Sequence, residues 1–72
     1  VVDAESFAAD HNLTMREREV FVLMLRGRDA RSIGEALVIS DNTAKAHIRS
    51  IYAKTGVHTR QEFVDVTERI VR

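Results

Sequence analysis

Hydrophobic positions recur along this chain at helical intervals. Val20, Leu23 and Met24 sit at i, i+3 and i+4 of one face. Ile33, Ala36 and Leu37 repeat that spacing. Ala44, Ile48, Ile51 and Thr55 extend it over three turns, and Phe63, Val66, Thr67 and Ile70 form a last inner stripe. The pattern predicts four helices. Strand signals are poor, since β-branched runs are brief and no two-residue hairpin turn occurs.

Start and stop signals bracket each helix. The first follows Thr14, which forms a capping box with Glu17, and ends at Gly27. The second runs from about Ala30 to Leu37. The third, Asp41 to Lys54, follows the N-cap Ser40 and stops at Gly56. The fourth covers residues 60–71, behind Thr59 and its box partner Glu62. Residues 1–12 read as a linker or a partly ordered N-terminal segment, and residues 13–72 as the folded domain. None of these helices is long enough to be stable alone in water, so each must dock its apolar stripe on the others. Only Val38, Ile39 and Ser40 separate the second helix from the third, the short turn of a helix-turn-helix, with Ile39 plugging the corner. The fold class is therefore all-α, a four-helix unit built around a helix-turn-helix.

Composition narrows the function. With 72 residues and no Cys, the chain is one small domain without disulfides or zinc–thiolate chemistry, held by apolar packing alone. No apolar run approaches membrane-spanning length, no signal peptide opens the chain, and it does not begin with Met. It reads as a cloned domain or fragment of a longer protein, soluble or membrane-tethered, with this domain on the cytoplasmic, DNA side and without membrane contact of its own. The net charge is zero but unevenly spread. Residues 1–12 sum to −3, residues 26–60 to +4, and residues 61–72 to −1. A basic middle between acidic ends is the footprint of a nucleic-acid binder.

The third helix sharpens that reading. On a helical wheel Ala44, Ile48 and Ile51 face inward with Tyr52 at their edge, while Asn42, Lys45, Ala46, Arg49 and Ala53 face outward. Lys45 and Arg49, one turn apart, suit guanine edges in a major groove. Ala46 is small enough for close approach and can touch a thymine methyl. Asn42 suits adenine or, at the helix start, the backbone. Thr43, His47 and Lys54 on the flank suit phosphates, as do Ser40, Arg31 at the start of the second helix and Arg60 at the start of the fourth. The plain alternative is a solvated face with two ordinary cations. The preceding turn, the cap and the basic surroundings favour the DNA reading.

The sequence also resembles a known family. Leu13-Thr14-Met15-Arg16-Glu17-Arg18-Glu19-Val20 is similar to the L-T-x-R-E-x-E-V opening of LuxR-type helix-turn-helix domains. Gly27 falls on that family's glycine after the first helix. Ile33, Leu37, Ser40, Thr43, Lys45, His47, Ile51, Lys54, Val57 and Arg60 fall on its later pattern without a gap. The resemblance implies the C-terminal output domain of a bacterial transcriptional regulator, joined to a receiver or sensor domain. It implies base contacts from Lys45, Ala46 and Arg49, backbone contacts near Thr43, Lys54 and Arg60, and a structural Glu17 that ties the first helix to the basic part of the fold. RNA polymerase is a further partner expected of a full-length regulator. Three departures, Gly34 for the usual Ala, Ala44 for Val and Thr55 for Leu, bear on stability rather than function.

The fourth helix carries a second apolar strip, Val64, Thr67 and Val71. It is either a homodimer interface or a half-exposed border of the core. Two rival functions are weighed. Catalysis by His11, Glu19, His47 or His58 lacks a metal-spaced pair and a phosphate loop, so no catalytic residue, metal or cofactor is expected. A protein-interaction module reusing the fold should expose large apolar residues on the third helix, where the sequence has Asn42, Lys45, Ala46 and Arg49.

Overall fold

A computed structural model describes residues 2–68 and 70–71, with the side chains of Val2 and Val71 outside the description. The order is β1 (Val2–Asp3), α1 (Ala4–Asp10), α2 (Met15–Leu25), α3 (Ala30–Leu37), α4 (Asp41–Thr55), α5 (Arg60–Thr67) and β2 (Ile70–Val71). The class is all-α as expected, with five helices among the described residues rather than four. The two-residue segments β1 and β2 pair in parallel, Val2 with Ile70 and Asp3 with Val71. No helix among the described residues is long and apolar enough to cross a membrane.

The added helix corrects the reading of residues 1–12 as a linker or partly ordered segment. Asp3 caps α1 by accepting the Ser6 N–H at 2.7 Å. Phe7 and Ala8 then enter the core, and the Phe7 carbonyl accepts from His11 Nδ1 at 2.8 Å. The Phe7 ring stacks on Phe21 of α2 with centroids 5.3 Å apart. Phe21 meets Phe63 of α5 edge-on at 5.8 Å, and Phe63 meets Tyr52 of α4 at 5.9 Å. This aromatic chain links four of the five helices, each pair adding about 0.5–1.5 kcal/mol beyond area burial. Val20, Ile33, Ala44 and Ile51 fill the space beneath it, all fully buried.

The fourth predicted helix ends early, at Thr67 rather than 71. Val64, Val66, Thr67, Ile70 and Val71 are all β-branched, which weakens helix propensity. After Glu68 the chain turns to pair with β1 and buries Ile70. Two expectations on this segment change. Val66 is exposed instead of inward, and Thr67 is buried, its hydroxyl donating to the Phe63 carbonyl at 2.7 Å. Thr67 therefore cannot belong to an outward-facing strip, and the Val71 side chain lies outside the described residues.

The α3–α4 corner depends on close approach. The Ile39 N–H donates to the Gly34 carbonyl at 2.9 Å, and a Cβ on Gly34 would lie 2.8 Å from the Ile39 carbonyl oxygen. Gly34 thus costs helix propensity but lets the turn fold back; an alanine would have to push the turn away. Ile39 is half-buried against the core, as the corner-plug reading expects. Val38 ends α3 in the left-handed conformation at φ 57°, with its side chain 90% exposed. A β-branched residue is strained there and gains no packing in return. Val38→Gly should raise unfolding free energy by about 1 kcal/mol in urea titration. An unchanged or lower midpoint would refute the strain.

Candidate nucleic-acid interface

Helix α4 begins at a well-made cap. Ser40 Oγ accepts the Thr43 N–H at 3.1 Å, and its own hydroxyl hydrogen goes to Thr43 Oγ1 at 2.9 Å. Both polar functions of Ser40 are thus engaged in the cap, whereas the exposed Thr43 keeps its hydroxyl hydrogen free to donate outward. The first-turn N–H groups and the positive end of the helix favour an anion on this side.

Packing then fixes which face of α4 looks out. Ala44 and Ile51 are fully buried, and Ile48 and Tyr52 are half-buried against the core. Asn42, Lys45, Ala46, Arg49 and Ala53 are all exposed, as the helical wheel expects. Neither Lys45 nor Arg49 has a carboxylate partner among the described residues, whose only ion pairs are Arg16–Glu19 and Lys54–Glu17. Two adjacent cations therefore stand on a ridge otherwise made of alanines and one Asn. Arg31 is exposed in the first turn of α3, and Arg60 is the exposed first residue of α5. His47 is half-buried on the flank next to Thr43.

The other flank residues hold the helix in place. Glu17 is 5% exposed and lies at the start of α2. One carboxylate oxygen accepts the Thr14 N–H at 2.9 Å and the Lys54 ammonium at 2.6 Å. The other accepts the Ser50 hydroxyl at 2.5 Å. Lys54 also donates to the Asn12 carbonyl at 3.2 Å. Glu17 thus serves both as capping-box partner and as the tie to the basic part of the fold, the two roles the sequence suggested. Lys54, expected to contact phosphate, has its charge committed to Glu17. Ser50 is its neighbour one turn earlier on α4 and serves the same carboxylate. The i, i+4 spacing of Ser50 and Lys54 is the sequence trace of which α4 residues answer Glu17.

Burial pushes the Glu17 carboxyl up, but the bonds from Lys54, Ser50 and the Thr14 N–H outweigh it and hold the pKa at about 2, against an ordinary 4.5. A depressed carboxylate stabilises the fold above its unfolded pKa and withdraws that contribution as pH falls through the folded value. Unfolding free energy should therefore drop by roughly 3 kcal/mol between about pH 4.5 and pH 2 on account of this group. Denaturant melts of wild type and Glu17→Gln across that range provide the check. The variant should be less stable at neutral pH and show a flatter acid limb; parallel curves would show that Glu17 is not the group responsible.

Comparison with known proteins finds a family and several relatives. The family described as bacterial regulatory proteins, luxR family, matches residues 11–67. The chain is 48% identical over 54 residues to the transcriptional regulatory protein DegU of Brevibacillus brevis, covering 75% of this chain and 23% of that protein. It is 38% identical over 60 residues to the HTH-type transcriptional regulator MalT of Yersinia pestis (strain Pestoides F), covering 83% of this chain and 7% of that protein. The chain thus spans about a quarter or less of the length of these relatives. No solved structure matches it.

Proposed function

The chain belongs to the luxR family of bacterial regulatory proteins, DNA-binding transcription regulators rather than enzymes, and from that premise we propose that α4 reads the major groove of double-stranded DNA. Lys45 and Arg49 are the base-reading pair. Arg49 offers two parallel donors to guanine O6 and N7, and Lys45 reaches the neighbouring base pair. Ala46 and Ala53 let the helix backbone approach the bases, and Asn42 reaches an adenine or the backbone at the entering end. Thr43 and His47 meet phosphates on the α2 side, while Arg31 and Arg60 extend the backbone contact to α3 and α5. Lys54 acts one step back, by holding α4 in this attitude. The observation that carries the reading is the exposed, unpaired Lys45–Arg49 ridge at the centre of an otherwise small-residue face.

Electrostatics favours the same surface. The acids of residues 1–12 and 61–68 leave the chain neutral overall, while the helix-turn-helix segment stays basic. Affinity should therefore fall steeply with salt, since phosphate contacts release counterions. Arg49→Ala should cost about 1–3 kcal/mol in binding and relax preference at one base pair, as read by selection from a random duplex pool. An unchanged preference would mean that α4 is turned another way in the groove.

The same reading gives α5 the task of pairing two copies about a two-fold axis, which would set two half-sites in an inverted repeat. Val64, 42% exposed on the outer side of α5, supports it; Thr67 does not. Sedimentation with and without duplex should show a dimer on DNA that Val64→Asp removes. A monomer in both conditions contradicts pairing through α5. Contact with RNA polymerase is proposed only for a full-length regulator.

A further inference from the structure

The C-terminal end of α4 carries a concavity that the contacts above leave unused. Arg49, Tyr52, Ala53, Gly56, Val57 and His58 line a shelf of about 340 Å³. Its floor is mostly apolar, formed by the Tyr52 ring, the Ala53 methyl and Val57. Gly56 ends the helix at φ 78°, and a Cβ there would meet nothing within 4 Å. The absence of a side chain at Gly56 keeps the shelf open. His58 stands exposed at its rim and has no hydrogen-bond partner among the described residues.

The place of the shelf on the helix suggests its occupant. A B-form major groove is about 12 Å wide, and a helix with its side chains is about 10–12 Å across. A helix seated there meets a sugar–phosphate strand on each side. On one side of α4 lie Thr43 and His47, with Ser50 and Lys54 turned to Glu17 of α2. On the other side Tyr52 leans on Phe63 of α5, and the shelf opens between that contact and the reading face. It shares Arg49 and Ala53 with the reading face itself.

Resting on the DNA reading, we propose that this shelf seats one deoxyribose–phosphate unit of the strand passing on the α5 side, with His58 as the phosphate donor. The apolar floor suits the sugar, and the donor His58 at the edge suits the phosphate. The imidazole ring carries an N–H donor that can meet a phosphate oxygen.

The test measures binding of wild type, His58→Ala and His58→Lys to a selected duplex and to a scrambled one, by fluorescence anisotropy over a salt series. His58→Ala should weaken both complexes by about tenfold while keeping the ratio between them. His58→Lys should restore affinity and steepen the log–log salt slope by about one. Binding by His58→Ala equal to wild type, with Arg49→Ala still relaxing sequence preference, would overturn the shelf contact and leave the groove reading standing. Loss of sequence preference in His58→Ala would equally overturn a backbone role. Absence of salt-sensitive binding by wild type to either duplex would remove both.

Discussion

The buried carboxylate of Glu17 is the constraint on which the rest of the structure depends. A charge 5% exposed is costly unless both carboxylate oxygens are hydrogen-bonded and an opposite charge lies close. Glu17 meets both conditions only because the ends of two helices converge on it. The start of α2 supplies the Thr14 N–H, and the second half of α4 supplies Ser50 and Lys54. Removing one partner would leave the others solvating an incomplete site. The interaction therefore specifies a geometry: α4 must lie across the start of α2 in one rotation about its own axis. That rotation places Lys45, Ala46 and Arg49 outward.

Stability and recognition are thus divided between two sides of one helix. Lys54 on the α2 side is consumed by the fold, and Lys45 and Arg49 on the outer side have no carboxylate partner among the described residues. The division explains how a chain of zero net charge presents a basic face. Several of its acids are engaged within the fold: Asp3, Glu17 and Asp29 cap helices, and Glu19 pairs with Arg16. The exposed Arg16–Glu19 pair adds little stability, whereas the buried Glu17 pair sets an orientation. The turn before α4 contributes in its own way, with a glycine that admits a backbone oxygen and a strained valine that ends α3.

Much of this was legible in the sequence because local chemistry and tertiary need coincide. The Thr14–Glu17 box and the caps Ser40 and Thr59 mark helix starts with short-range bonds that do not wait for packing. The outward face of α4 followed from period alone, because its inner positions are uniformly apolar. Three features were not legible. Among the described residues of 1–12 only Phe7 and Ala8 are buried in the core, too few positions to show a period, so α1 is visible only through its contacts with α2. Lys54 looks like any surface cation until the fold brings it to Glu17, 37 positions away. Val66, which periodicity places inward, is exposed, while Thr67 keeps its inner place and is lost to the outer strip, because the helix ends at Thr67 and Ile70–Val71 pairs with β1.

The most direct test follows the backbone amide and Arg and Lys side-chain resonances of the labelled chain as duplex DNA is added. Shifts confined to the outward ridge of α4 and the corners beside it, with the Glu17–Ser50–Lys54 group undisturbed, are the expected result. Shifts centred on the α1–α2 face, or a Lys54 ammonium that leaves Glu17 for phosphate, would contradict the division of α4 into a held side and a reading side.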